Sequence, residues 1–235
     1  MNLKEETAAF AVGHMSLAYL LGKGSAKPLR VKPNIAALLV LSILPDIDIL
    51  WDLFTGTEIH RGPTHSIIVA IVAFIPLFIY LRKRAVPYFI ALISHPLLGD
   101  FFVGGKLELF WPISNQQFGL HELGGPYIDI FSPINVAAEL ILFAGAMLLL
   151  YKSGDWRVFT SGKKSNLLLI IPIATVLLPS TIGYPFTAPL ILTEPALAVA
   201  HFVYLVLFLI AVLKTFQTLY KMRLKHPNLP SKPPP

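Results

Sequence analysis

Several histidine and acidic residues occur within or beside strongly apolar segments, where such side chains are unusual. A carboxylate at bilayer depth is costly unless it is paired or bound to a cation. A divalent metal neutralises carboxylates and binds imidazole in its neutral form. We therefore predict a metal site on one side of the membrane, built from members of the following set: His14, Asp46, Asp48, His60, His65, His95, Asp100, Glu139, Glu194 and His201.

The ligand chemistry is restricted because the chain contains no cysteine. Thiolate ligands are excluded, so the metal must be held by imidazole nitrogens and carboxylate oxygens. This donor set suits zinc, manganese or iron, and zinc is the metal that we expect. The candidate ligands outnumber those that a closed structural zinc site uses. This excess favours a catalytic site with two or three metal ions.

The composition indicates a membrane protein. Hydrophobic residues make up 55% of the 235 residues and charged residues only 14%, whereas soluble proteins carry about 25% charged residues. A helix that spans a bilayer needs about 20 predominantly apolar residues. We predict an all-α, polytopic membrane bundle of about six to seven helices, some of them short or broken. The apolar segments lie at 8–22, 34–51, 63–81, 85–103, 134–151, 166–181 and 189–213.

Two of these segments contain a proline next to a candidate ligand. Pro45 precedes Asp46, and Pro96 follows His95. Broken helices are tolerated in membranes where they line a cavity buried in protein. We therefore predict that both helices break at these prolines.

The chain is predicted to form a single membrane-embedded helical domain over residues 1–225. Residues 226–235 are rich in proline and poor in apolar side chains. Such a segment cannot bury enough surface to form a packed structure, and we predict a disordered tail.

Lysine and arginine residues concentrate in the predicted connections between segments one and two, three and four, and five and six, and after segment seven. The positive-inside rule places these connections in the cytoplasm. The candidate ligands then lie toward the extracytoplasmic side. The net charge of +6 arises from basic residues that set the orientation in the membrane. The predicted partner is therefore the lipid bilayer and not nucleic acid. The basic residues are Lys23, Lys27, Arg30, Lys32, Arg82, Lys83, Arg84, Lys152, Arg157, Lys163, Lys164, Lys214, Lys221, Arg223 and Lys225.

Some candidate ligands also have simpler interpretations. His201 is expected to pack against a neighbouring helix through a hydrogen bond, and Glu194 precedes Pro195 at an expected helix start. Asp46 and Asp48 are two residues apart, so a regular helix cannot direct both at one point. Either the helix ends there, or one carboxylate binds metal while the other orients a histidine.

The order and spacing of several short motifs resemble those of a known family. The set is similar to the membrane-bound metal-dependent hydrolases, whose bacterial members include a LexA-regulated inner-membrane protein assigned as a hydrolase. The resemblance covers about residues 10–113, and a carboxylate near Glu139 is similar to the family's later part. The motifs are Gly13-His14, Leu44-Pro45-Asp46-Ile47-Asp48, His60-Arg61-Gly62-Pro63-Thr64-His65-Ser66, Ser94-His95 with Asp100, and Phe110-Trp111-Pro112.

This resemblance implies a catalytic metal site distantly similar to that of zinc-dependent phospholipase C. One departure from the family pattern affects Asp100, which follows His95 by five residues where the family has four. Because Pro96 disfavours helix at His95, we predict a kink or bulge that absorbs the extra residue. The positions that match the family's assigned ligands are His14, Asp46, Asp48, His60, His65, His95 and Asp100.

The predicted reaction is hydrolysis of a phosphoester or ester bond in an amphiphilic, lipid-like substrate. A metal would lower the pKa of bound water, and Asp48 or Asp100 would accept the proton as general base. Arg61 is predicted either to stabilise developing negative charge or to anchor the chain at the lipid headgroups. The loop 104–133 is expected to form a lid over the site.

Two other functions are compatible with the same residues. A metal-ion or proton transporter needs polar residues through the inner half of its helices, but the segments 67–81, 140–150 and 203–213 are almost purely apolar. A non-catalytic membrane protein with a structural metal needs only four ligands. We therefore expect an enzyme, and keep these two functions as alternatives.

Overall fold

The computed structural model describes residues 10–57, 59–183 and 188–225. Over these residues the fold is all-helical, as predicted, with one isolated pair of bridging residues in a long loop. The predicted disordered tail at 226–235 lies outside the described residues.

The first half of the chain contains five helices, most of which are short. Asn34 begins the second helix, and its side chain accepts a hydrogen bond from the Ala37 amide (3.3 Å). Ser66 does the same at the fourth helix, where its hydroxyl accepts from the Ile68 amide (3.2 Å). Both are residue types that favour helix starts, because their oxygen satisfies an otherwise unpaired amide. The helices are α1 (Ala11–Leu29), α2 (Ile35–Leu41), α3 (Ile47–Thr55), α4 (Ile67–Leu81) and α5 (Val86–Ser94).

The predicted breaks at Pro45 and Pro96 are both confirmed. The second apolar segment divides into α2 and α3, with Pro45 in the turn between them. After α5 the chain continues as a π-helical turn, His95–Asp100. A π-helix inserts one extra residue into a turn and occurs frequently at functional sites.

Within the described residues, three helices are long and apolar enough to cross a membrane by length and composition. They are α6 (Pro133–Ser153), the broken helix Lys164–Ile182, and the last helix, Pro195–Lys225. The last helix extends well beyond the predicted end of its apolar segment at 213, because lysine and arginine are good helix formers and continue it.

The first helix is also longer than its apolar segment, which was predicted to end at residue 22. It continues to Leu29, so Lys23 and Lys27 lie on α1 and not in a connection. The prediction that Lys23 and Lys27 lie in the connection after the first segment was therefore wrong. Long basic side chains are compatible with a helix end because their charged groups can reach past the apolar surface.

Helices α1 and α6 run parallel to each other. Near their starts the amide of Gly13 donates to Glu139, and further along the Tyr19 hydroxyl contacts Ser153. Beyond α6, Asp155 forms an ion pair with Lys23 (2.7 Å). The bundle therefore has one end with basic residues and an opposite end where the candidate ligands lie.

Candidate metal centre

Four of the predicted ligands meet in one buried group. They are Asp46, His65, His95 and Asp100, and their ligand atoms lie within 4.8 Å of one another. The Nε2 atom of His65 is 3.2 Å from Nε2 of His95 and 3.2 Å from Oδ2 of Asp100. The Nε2 atom of His95 is 3.1 Å from Oδ1 of Asp46 and 3.3 Å from Oδ2 of Asp100.

These distances match the edges of a metal coordination tetrahedron. Ligand atoms about 2.0–2.1 Å from zinc lie about 3.3 Å apart when they are arranged tetrahedrally. The remaining measured edge, from His65 Nε2 to Asp46 Oδ1, is 3.6 Å. We name these residues, Asp46, His65, His95 and Asp100, the tetrahedral group.

Local backbone features bring these four side chains together. Asp46 is the residue before α3, at the break after α2, and His65 ends a short 3-10 turn, Pro63–His65. Asp100 lies one π-helical turn after His95, and the widened turn is closed by a hydrogen bond from the Phe101 amide to the carbonyl of residue 96 (3.1 Å). The predicted kink or bulge is therefore confirmed.

The ring orientation of His95 is fixed by the backbone of α2. Its Nδ1 donates to the Ser42 carbonyl oxygen at 2.6 Å, which leaves the Nε2 lone pair directed at the tetrahedral group. Histidine ligands of metals typically donate their second ring nitrogen in this way, and the partner selects the tautomer. Ser42 therefore contributes to the site through its carbonyl group.

A second group of ligands lies on the other side of the His65 ring. It consists of Asp48, His60 and His65, which we name the outer group. The Nδ1 atom of His60 is 2.8 Å from Asp48 Oδ1, and the Nδ1 atom of His65 is 3.4 Å from Asp48 Oδ2. The Thr64 hydroxyl also donates to Asp48.

Asp46 and Asp48 therefore reach different groups although they are only two residues apart in sequence. The helix break allows Asp46 to join the tetrahedral group, while Asp48 contacts the opposite edge of His65. This arrangement allows Asp48 either to bind a second metal ion or to orient the His65 ring. The helix does break at this point, which was the first alternative that the spacing left open. The orienting role of one carboxylate stays a prediction.

His14 packs directly against the tetrahedral group. Its ring stacks on the His95 ring, with centroids 3.9 Å apart, and its Nε2 is 3.5 Å from Asp100 Oδ1. The side chain is buried, yet neither ring nitrogen has a hydrogen-bond partner among the described residues. Gly99 makes this packing feasible, because a Cβ at that position would collide with the His14 ring.

Arg61 is buried beside Asp100. Its Nη2 is 3.7 Å from Asp100 Oδ1, and its Nη1 donates to the carbonyl of Gly105 at 2.7 Å. The guanidinium group thus lies at the tetrahedral group and not on the surface. This placement favours an electrostatic role over the alternative of a headgroup anchor.

Glu139 lies outside both ligand groups. Its Oε2 accepts a hydrogen bond from the Gly13 amide at 2.5 Å, in the first turn of α1. The first amides of a helix have no partner within the helix, and a carboxylate is favourable there. In this position Glu139 caps α1, and its predicted role as a metal ligand stays a prediction.

Comparison with known proteins identifies one family. The YdjM inner membrane protein family matches residues 8–219, which is nearly the whole chain. The chain belongs to the YdjM inner membrane protein family. No curated protein and no solved structure gives a significant match. The family assignment confirms that this is an inner membrane protein, whereas hydrolase activity and similarity to phospholipase C stay predictions.

The two remaining candidate ligands of this YdjM-family protein, Glu194 and His201, lie outside the site. His201 donates from Nε2 to the Leu177 carbonyl at 2.7 Å, which confirms the simpler interpretation of a histidine bonded to a neighbouring helix. Glu194 directly precedes the last helix, and its backbone carbonyl accepts from the Ala198 amide at 2.9 Å. Neither residue belongs to the two ligand groups.

The long loop after the π-helical turn lies against the segment that carries the outer ligands. The Ser66 hydroxyl donates to the Trp111 carbonyl at 2.7 Å, and the Glu108 amide donates to the Arg61 carbonyl at 3.1 Å. These contacts hold the loop beside the candidate metal centre of the YdjM-family protein. They are compatible with the predicted lid, which was inferred for a loop rich in glycine and aromatic residues.

Proposed function

We propose that this protein is a membrane-embedded, metal-dependent hydrolase. Its substrate is proposed to be a phosphoester or ester of an amphiphilic, lipid-like molecule, cleaved at the extracytoplasmic face. The observation that carries the proposal is the tetrahedral group, in which the side chains of Asp46, His65, His95 and Asp100 have mutual distances of 3.1–3.6 Å. Nitrogen and oxygen ligands at this spacing fit zinc.

The environment of Asp100 supports a bound cation. The Oδ2 atom of Asp100 is buried with no hydrogen-bond partner among the described residues, although it lies 3.2 Å from His65 Nε2 and 3.3 Å from His95 Nε2. Leaving buried polar atoms unpaired costs ~1–3 kcal/mol each. A divalent ion supplies the missing partner for such atoms, and it also offsets the charge of the buried carboxylates.

Four protein ligands fill a tetrahedral zinc site, so a water activated by the zinc ion would have to bind as a fifth ligand or replace one of the four. In that position the ion would lower the pKa of the water and stabilise negative charge on the substrate oxygen. Side chains of the protein would supply a second positive charge for the substrate and a proton acceptor. Arg61, beside Asp100, offers a guanidinium group that matches phosphoryl oxygens in geometry and charge. Asp48 or Asp100 would accept the proton from water. The contacts of Asp48 with both outer histidines also fix their ring orientations.

The orientation of the site in the membrane follows from the positions of the basic residues. Lys23 pairs with Asp155 at the end of the bundle that is remote from the ligands. If the basic end faces the cytoplasm, the candidate metal centre faces the extracytoplasmic side. An enzyme with this topology would act on lipid-like molecules of the outer leaflet.

The first test is the metal content of detergent-purified protein, measured by elemental analysis. We expect at least one equivalent of zinc per chain in the wild type and loss of this metal in His65→Ala and His95→Ala. His201→Ala is the matched control, because it removes a buried histidine that bonds only to a backbone carbonyl in another helix. It should retain metal.

Hydrolysis is then measured with bis(p-nitrophenyl) phosphate as a soluble diester and with a phospholipid in micelles. Both activities are expected in the wild type and in His201→Ala, and neither in the two ligand variants. A wild-type protein that was purified without chelator and takes up no added metal would exclude the proposal. The cluster would then be a proton or hydrogen-bond network, which favours transport.

A further inference from the structure

A cavity of about 250 Å³ lies between α1, the π-helical turn and α6. Most of its wall is apolar, and at one end the wall is polar. Pockets that bind small molecules usually combine an apolar lining with a few well-placed polar groups. The apolar wall includes Leu17, Leu98, Phe102, Ile134, Ala138 and Leu142.

The polar end of this cavity is next to the tetrahedral group. His14 lines the cavity, and its ring stacks on the His95 ring on its other side. The other polar residues of the wall are already bonded, since Asn135 Nδ2 donates to the Ile130 carbonyl and Glu139 accepts from the Gly13 amide. His14 is more than nine-tenths buried, and neither of its ring nitrogens has a hydrogen-bond partner in the part of the chain that the structure describes.

The cavity also reaches the outer surface of the bundle. Leu98, Phe102 and Ile134 line it and are 47%, 43% and 70% exposed, respectively. Large apolar side chains on the outside of an inner membrane protein face lipid tails. The cavity therefore connects the lipid-facing surface with the His14 ring. The three exposed residues at its mouth are all apolar, so an alkyl chain would pass no polar side chain among them.

We propose that this cavity binds the alkyl chain of the amphiphilic substrate, which enters sideways from the bilayer with its phosphoester or ester end toward His14. The proposal rests on the proposed hydrolase function and defines the substrate class further. The substrate carries at least one apolar chain, and it reaches the site from the membrane rather than from water. His14 then contacts the polar end beside the metal ligands His95 and Asp100.

The binding test uses dodecyl phosphate with a photoreactive diazirine on its chain. We expect it to label wall residues of α6 and of the π-helical turn in detergent-purified protein. Ala138→Trp, which fills the cavity, should lower labelling about tenfold, equivalent to ~1.4 kcal/mol of binding free energy. Ala137→Trp is the matched control, because residues 137 and 138 are both exposed on α6 and only Ala138 lines the cavity.

Ile134→Trp, at the exposed mouth of the cavity, is a second blocking variant in case Ala138→Trp does not fold. Equal labelling of the blocking variants and Ala137→Trp would overturn the proposal. Metal content and cleavage of bis(p-nitrophenyl) phosphate are measured in the same samples. Metal content should be unchanged in the blocking variants, whereas cleavage of a long-chain phosphodiester should fall about tenfold relative to Ala137→Trp, a change of ~1.4 kcal/mol.

These readouts separate the two proposals. Cleavage of the soluble diester by every variant, with labelling that does not depend on Ala138, would overturn the cavity assignment alone. A wild type that binds no metal and cleaves no ester, but shows labelling that depends on Ala138, would overturn the hydrolase. In that case the cavity would still be a binding site for single alkyl chains.

Discussion

The Nε2 atom of His95 and the Oδ2 atom of Asp100 are 3.3 Å apart although the residues are separated by a full π-helical turn. In a regular α-helix, residues five apart point about 140° away from each other. The π-helical turn, closed by a hydrogen bond from the residue 101 amide to the residue 96 carbonyl, returns Asp100 to the face of His95. This widened turn creates one edge of the candidate metal centre.

Gly99 lies inside that turn and permits the close approach of His14. A Cβ at this position would collide with the His14 ring, so we expect Gly99→Ala to displace His14 and to destabilise the protein by ~1–3 kcal/mol, the usual cost of overpacking. Metal affinity should fall as well. Chemical denaturation and metal titration of the purified protein measure the two effects.

Gly24→Ala is the control for this prediction. Gly24 also lies on a helix, α1, but no atom lies within 4 Å of a Cβ built there. This substitution should be neutral, or stabilising by ~0.5–1 kcal/mol. If Gly99→Ala and Gly24→Ala changed stability and metal affinity equally, the position of His14 would not depend on a glycine at residue 99.

Asp48 is expected to control metal binding through the histidines that it contacts. His60 and His65 contact different oxygens of Asp48. In Asp48→Asn the amide nitrogen cannot accept a hydrogen bond, so one of these two histidines loses its partner at residue 48. Loss of such an orienting partner typically weakens metal binding about 10–100-fold. Zinc titration in competition with a chelator measures the change. If Asp48 instead binds a second metal ion, Asp48→Asn should lower the number of ions bound per chain.

Asp129→Asn is the control for Asp48→Asn. Asp129 belongs to neither ligand group and accepts a hydrogen bond from the Phe131 amide at 2.8 Å, which asparagine can also accept. Zinc affinity should not change. An unchanged affinity in Asp48→Asn as well would exclude the orienting role.

Glu139 provides a test between a capping role and a ligand role. Glutamine retains an oxygen that can accept the hydrogen bond of the Gly13 amide, so Glu139→Gln should keep both stability and metal. Glu139→Ala should lose ~1 kcal/mol, the usual effect of removing a cap, without loss of metal. Metal content close to zero in Glu139→Gln would identify the residue as a ligand.

Much of the tetrahedral group could be predicted from the sequence. An acidic or histidine side chain in an apolar segment is costly, so residues such as Asp46 and His95 were identifiable without coordinates. The extra residue before Asp100, together with Pro96, indicated an irregular turn, and the structure contains a π-helix there.

Other parts of the site could not be predicted because they depend on backbone atoms or on packing. The Ser42 carbonyl orients His95, and every residue has a carbonyl, so the sequence contains no signal for it. Gly99 matters only because His14, from a distant helix, packs on it. Asp46 and Asp48 could not be assigned to separate groups until the exact position of the helix break was known.

The orientation of the site can be tested directly because the chain contains no cysteine. Ile113 is 81% exposed in the loop beside the outer ligands, and Lys152 is exposed in the last turn of α6, at the basic end. We expect Ile113→Cys to react with a membrane-impermeant maleimide in intact spheroplasts. Lys152→Cys should react only after the membrane is permeabilised, since the basic end is predicted to face the cytoplasm. The cysteine-free wild type provides the background signal, and the reverse labelling pattern would place the candidate metal centre on the cytoplasmic side.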